Sequence, residues 1–100
     1  MNERSNKFMT SWKWRTKRKR VLERDGHRCQ ICDGQARVVH HIFPLDEFPE
    51  YGMNDWNLVS LCCSCHNKID SARSELSDAG KKMLRDTALK QGIPIPEKYK

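Results

Sequence analysis

The histidines and cysteines of this chain fall into two groups with different chemistry. Cys29-x-x-Cys32 and Cys62-x-x-Cys65 offer four thiolates, the donor set of a tetrahedral structural zinc. The 29 residues between the pairs (62 − 32 − 1) exceed the roughly 15–20 of an ordinary zinc ribbon, so a further segment is inserted between the two knuckles. That insertion carries the adjacent His40 and His41. Asn57 follows 16 positions after His41, and His66 comes nine after Asn57, directly behind the second cysteine pair. If the thiolates share one ion, Cys65 places His66 at the start of a helix close to the strand bearing His40 and His41. Imidazoles gathered in this way bind divalent cations and exchange protons near neutral pH. The pattern therefore points to two ions, one shaping the chain through sulfur and one held by histidine. Cys63, outside the Cys-x-x-Cys spacing, is expected to be a small buried filler. His27, in a turn before the first knuckle, is assigned no chemistry.

Positioning these groups requires a small set of elements. A helix is predicted from about Ser11 to Arg24, with Thr10 or Ser11 as N-cap and Asp25-Gly26 ending it. Trp14, Val21, Leu22 and the stem of Arg18 share its inner face. Its other face carries Lys13, Lys17, Lys19, Arg20 and Arg24, which with Arg18 form the candidate phosphate contacts. Arg37 to Ile42 is β-branched and reads as a strand. Residues 43–57, with Pro44, Pro49 and Gly52, read as a long loop, and Leu58 to Leu61 as the returning strand. A helix is expected from about Cys63 to Ser74. A last one, about Leu76 to Gln91, has Leu76, Ala79, Met83, Leu84, Ala88 and Leu89 on its inner face. Gly92 ends it, and Ile93-Pro94-Ile95-Pro96 is extended. Adjacent strand residues point to opposite faces, so His40 and His41 share a site only if the strand bends or ends there.

One hundred residues suit one domain, residues 1–100, with a loose arm over 1–10, a core over about 12–72 and the C-terminal helix over about 76–91. A chain that is only 37% hydrophobic has little apolar surface to offset conformational entropy, and a metal staple fills that deficit. No apolar run approaches the roughly 20 residues of a spanning helix, and no apolar segment follows the charged start, so no membrane association and no disulfide framework are expected. The net charge of +6 divides into +7 over residues 1–28, −4 over 29–61 and +3 over 62–100. Basic flanks around an acidic centre suit a polyanion lying across the protein while a cation sits in the middle.

In combination, His40-His41-Ile42, Asn57-Leu58 and Leu61-Cys62-x-x-Cys65-His66-Asn67-Lys68 resemble the HNH endonuclease family, in the small zinc-containing branch of the ββα-metal nucleases. The lead-in Val21-Leu22-Glu23-Arg24-Asp25-Gly26-x-x-Cys29-x-x-Cys32 is similar to the same branch, and the likeness covers about residues 12–72. It implies an α+β fold with a zinc-stapled ββα core and flanking N- and C-terminal helices, and a metal-dependent DNA endonuclease leaving 5′-phosphate and 3′-hydroxyl ends. His41 would be the general base and Asn57 would fix its orientation. His40 and His66 would bind the catalytic cation, with Asp70, four residues after His66, as a further candidate ligand. His40 stands where aspartate is common, which favours Mn²⁺, Ni²⁺ or Zn²⁺ over Mg²⁺ as the catalytic ion. Short chains of this kind resemble the HNH proteins encoded beside the packaging genes of tailed phages. That implies DNA and phage packaging proteins as partners, nicking as one mode of cutting, and the bacterial host cytoplasm as location. The alternatives are a non-catalytic zinc-knuckle module that binds nucleic acid and a rubredoxin-like iron or redox protein. A zinc deaminase is disfavoured because its His-x-Glu motif is absent.

Overall fold

The centre of the molecule is a short hairpin whose two faces are covered by different helices. In the computed structural model, which describes residues 8, 10–69 and 76–100, Val38–His41 (β1) and Leu58–Leu61 (β2) form an antiparallel pair. Val38 lies opposite Leu61, Val39 opposite Ser60, His40 opposite Val59 and His41 opposite Leu58. Because side chains alternate along a strand, Val39, His41, Leu58 and Ser60 share one face. Val38, His40, Val59 and Leu61 share the other.

Trp12–Arg24 (α1) covers the first face. Ser11 caps it, its hydroxyl accepting from the Trp14 amide at 3.1 Å, and the chain leaves through Gly26 at φ +64. Trp14, Val21 and Leu22, at i, i+7 and i+8, bury against Ala36, Val39 and Leu58. Each such side chain contributes roughly 1.5–3 kcal/mol of apolar burial. Cys63–Ile69 (α2) and Asp78–Gln91 (α3) close the second face, where Ile42, Phe43, Leu61, Ile69, Leu84 and Ala88 form the larger apolar cluster. The α+β hairpin-helix architecture agrees with expectation.

Several details differ. The first strand is shorter at both ends than Arg37 to Ile42, because Ile42 already turns into the loop. The expected part of α2 beyond Ile69 lies outside the described residues. Ser77 caps α3, accepting from the Gly80 amide at 3.3 Å, so that helix starts at Asp78 rather than Leu76. Its buried line runs through Gly80, Leu84 and Ala88. Leu89, one residue further, is turned about 100° around the axis and is 74% exposed, and Ala79 also faces out. After Gly92 (φ +68) the chain folds back through Glu97–Tyr99, a 3-10 turn not foreseen in the sequence. Tyr99 is buried there, its hydroxyl 2.6 Å from a Glu47 carboxylate oxygen that also accepts from Lys98.

Candidate active site and metal centre

The first cysteine pair sits on a turn closed by backbone bonds. The Cys29 amide donates to the Gly34 carbonyl at 2.7 Å and the Asp33 amide to the Cys29 carbonyl at 2.9 Å. The second pair spans the junction of β2 and α2, where the Cys65 amide donates to the Cys62 sulfur at 3.3 Å. The hairpin brings both pairs together, so that the sulfurs of Cys29, Cys32, Cys62 and Cys65 all lie within 4.8 Å of one another. Cys32 and Cys62 are 3.6 Å apart. A tetrahedron with zinc–sulfur bonds of about 2.3 Å has sulfurs about 3.8 Å apart, so the cluster fits zinc. The thiols also resist ionising together. Burial opposes ionisation of Cys29, but backbone amides at Cys32, Cys62 and Ile31 outweigh it and lower this thiol to about 6. Hydrogen bonding to the Cys62 sulfur, then burial, pushes the Cys65 thiol up to about 12. A cation is what would let all four be thiolates at once. Cys63 is exposed, contrary to the expected buried filler, because the first turn of α2 aims it away from Cys62 and Cys65.

The hairpin register separates the adjacent histidines. His40 faces α2, its ring 5.4 Å from that of His66, and is only 4% exposed. Burial, then the nearby His66 and His41, lower its pKa to about 3. It is therefore a neutral imidazole at pH 7, the form that binds a metal. His41, the last residue of β1, faces α1. Its ring stacks on Trp14 with centroids 4.8 Å apart and planes 26° from parallel, and Phe8 lies edge-on at 5.9 Å. Burial lowers its pKa and the Gly52 carbonyl partly restores it. His41 Nε2 lies 3.1 Å from the Gly52 oxygen. A carbonyl only accepts, so this contact puts the proton on Nε2 and leaves Nδ1 as the basic nitrogen.

Loop 42–57 holds that carbonyl in place. Asn57 is fully buried. Its side-chain oxygen accepts from the Phe43 amide at 2.6 Å, and its amide group donates to the Phe43 and Tyr51 carbonyls at 3.3 and 3.1 Å. Around it, Phe43 meets Phe48, Tyr51 and Trp56 edge to face with centroids 5.2 to 5.8 Å apart. A Cβ at Gly52 would lie 2.9 Å from Leu45 Cδ1 and 3.1 Å from the Phe8 ring, so those side chains would have to shift to admit one.

Asp70, the further candidate ligand, lies outside the described residues. Of the six basic side chains, three turn inward. Lys17 pairs with Asp55, Arg18 donates to the Arg37 carbonyl at 2.6 Å, and Arg24 donates to the Asp55 and Leu58 carbonyls at 2.9 and 2.7 Å. Lys13, Lys19 and Arg20 are exposed. The sequence reading missed the Trp14 stack and the Gly52 carbonyl. Trp14 was readable as buried, but its target depends on how α1 docks. A carbonyl carries no residue-type signal.

A hairpin and helix that bear paired histidines, stapled by a four-cysteine cluster, define the ββα-metal class of nuclease. Residues 29–71 match the family described as HNH endonuclease. The crystal structure of the HNH endonuclease of the deep-sea thermophilic bacteriophage GVE2, with manganese ion, matches with a TM-score of 0.64 and 35% sequence identity, over 66% of this chain and 77% of that one. No curated protein matches. The chain belongs to the HNH endonuclease family and is a nuclease. Among the described residues, no helix is long and apolar enough to cross a membrane.

Proposed function

We propose that this nuclease cuts DNA, with His41 as the general base and His40 and His66 holding a divalent cation. The observation that supports this best is the His41 ring, fixed between Trp14 and the Gly52 carbonyl at the end of the strand whose preceding residue, His40, faces His66. His41, with its proton kept on Nε2, accepts a proton at Nδ1 from the attacking water. Trp14 keeps the imidazole plane from rotating and shields one side from water. Asn57 acts at one remove, through the loop that carries Gly52. His40 and His66 present their imidazoles on the opposite face of the same strand end. When bound, a divalent cation supplies Lewis-acid polarisation of the phosphate and stabilises the leaving 3′ oxygen. The products then carry 5′-phosphate and 3′-hydroxyl ends. Two imidazoles and no described carboxylate favour Mn²⁺, Ni²⁺ or Zn²⁺ over Mg²⁺; the phage relative was crystallised with manganese. A nicking role beside phage packaging proteins in a bacterial cytoplasm is the setting this reading favours.

Conversion of supercoiled plasmid in Mn²⁺ or Mg²⁺ tests the proposal. The expected result is metal-dependent cutting that His41→Ala lowers by roughly 10²–10⁴-fold. Equal, metal-independent cutting by both proteins would refute it.

A further inference from the structure

We infer that the outward face of α1 is a DNA-docking surface on which Trp12 stacks against an unpaired base, so that the preferred substrate carries a single-stranded segment. The inference rests on the reading of this chain as a nuclease acting on DNA. Two tryptophans in one helical turn have opposite fates: Trp14 is 2% exposed and Trp12 is 70% exposed. At about 100° per residue, Thr16, Lys19 and Glu23 follow Trp12 along the outer meridian of the helix, with Lys13 and Arg20 flanking it. Lys13, Lys19 and Arg20 make no hydrogen bond or ion pair among the described residues, whereas Lys17, Arg18 and Arg24 are engaged with the hairpin and its loop. The outer face thus keeps uncommitted cations beside an open indole. Its one acidic residue, Glu23, is near the far end.

Basic residues interleaved with an exposed aromatic ring are how proteins hold single strands, the cations on phosphates and the ring on a base face. Charge alone would serve a duplex equally well, but Trp12 decides between them. Base faces inside a duplex are covered by their neighbours, so an indole finds one only at an end, a flap or a gap. Trp12 to Lys19 spans roughly 10 Å of helix axis, a few phosphate spacings of one strand. Trp14, on the inner side of the same turn, touches His41, so a base held by Trp12 sits across α1 from the proposed base catalyst.

Fluorescence anisotropy with the zinc-loaded full chain carrying His41→Ala tests this, using a labelled blunt duplex and the same duplex with a short single-stranded tail. The tailed DNA should bind roughly tenfold more tightly. Trp12→Ala should bring it down to the blunt level, while Trp12→Phe keeps most of the preference. Lys19→Ala and Arg20→Ala should weaken both DNAs alike and flatten the salt dependence. Equal affinity for the two DNAs, or a tail preference that survives Trp12→Ala, would overturn the inference. Cutting of the same DNAs in Mn²⁺ by the chain with His41 intact keeps the two readings apart. Cutting without tail preference refutes the docking surface alone, whereas tail preference without cutting supports the surface and refutes the nuclease assignment on DNA.

Discussion

Asn57 shows how one buried polar side chain sets the shape of a functional loop. All of its side-chain bonds go to backbone groups of Phe43 and Tyr51, so it replaces strand pairing where the hairpin opens. Asn57→Ala would leave those groups buried without partners. At about 1–3 kcal/mol for such a loss, the expected cost is about 2–3 kcal/mol, or roughly 10–20 °C in melting temperature for a domain of this size. A thermal melt that moves by less than a few degrees would contradict this role. Asp25 was read from the sequence only as a helix terminator, yet its carboxylate accepts from the Ser60 amide at 3.1 Å and from Arg24, joining the end of α1 to β2. Burial opposes its ionisation, but Arg24 and Ser60 prevail and hold its pKa below the ordinary carboxylate value. A lowered folded-state pKa contributes stability that is present above the unfolded value and lost as pH falls through the folded one. Asp25→Asn should therefore destabilise by the same amount at pH 7.5 and pH 5.5 in urea unfolding. A gap that narrows within this window would show that the carboxylate titrates too high for the role.

Helix docking depends on contacts too close for most side chains. Gly80 lets α3 approach the end of α2, where a Cβ would lie 2.8 Å from the Ile69 carbonyl oxygen and 2.9 Å from Ile69 Cγ2. In an exposed helix, Gly→Ala stabilises by about 1 kcal/mol. Here the obstacle is backbone and yields only if α2 moves, and overpacking of this kind costs about 1–3 kcal/mol. Gly80→Ala should therefore lower stability on balance by about 1 kcal/mol in chemical denaturation while leaving the zinc content unchanged. A stabilised variant would mean that the two helices are free to part. At the other end of α3, Arg85 donates to the Tyr99 carbonyl at 3.1 Å. Tyr99 in turn holds Glu47 of the loop, so the chain's last turn braces the loop that carries Gly52.

The hairpin separates two small apolar clusters, and the four cysteines join the parts on either side of it. Cys29 and Cys32 lie just beyond α1, whereas Cys62 and Cys65 bound the start of α2. Structural zinc contributes on the order of 10–16 kcal/mol in small zinc-binding peptides, as much as the whole net stability of a typical domain, about 5–15 kcal/mol. Stripping zinc with a chelator, or Cys62→Ser, should therefore unfold the chain cooperatively, seen as loss of the helical circular dichroism signal. His66→Ala, aimed at the proposed catalytic cation, should keep that signal. A folded, zinc-free Cys62→Ser protein would show that the apolar clusters suffice unaided.

What could be read from residue order alone is what depends on near neighbours and on ligand type. The helix faces of Trp14, Val21 and Leu22, a cap at Thr10 or Ser11, the strand at Leu58–Leu61 and the sorting of Cys29, Cys32, Cys62 and Cys65 into one sulfur cluster all follow from local period, capping or spacing. Only the folded chain decided which face each histidine takes, with His40 against His66 and His41 against Trp14. It also decided which cations of α1 are turned inward, that Leu89 and Cys63 point outward, and that Tyr99 returns to Glu47. These depend on strand register and helix docking, in which residues far apart in the chain compete for the same space. No local pattern encodes the outcome of that competition.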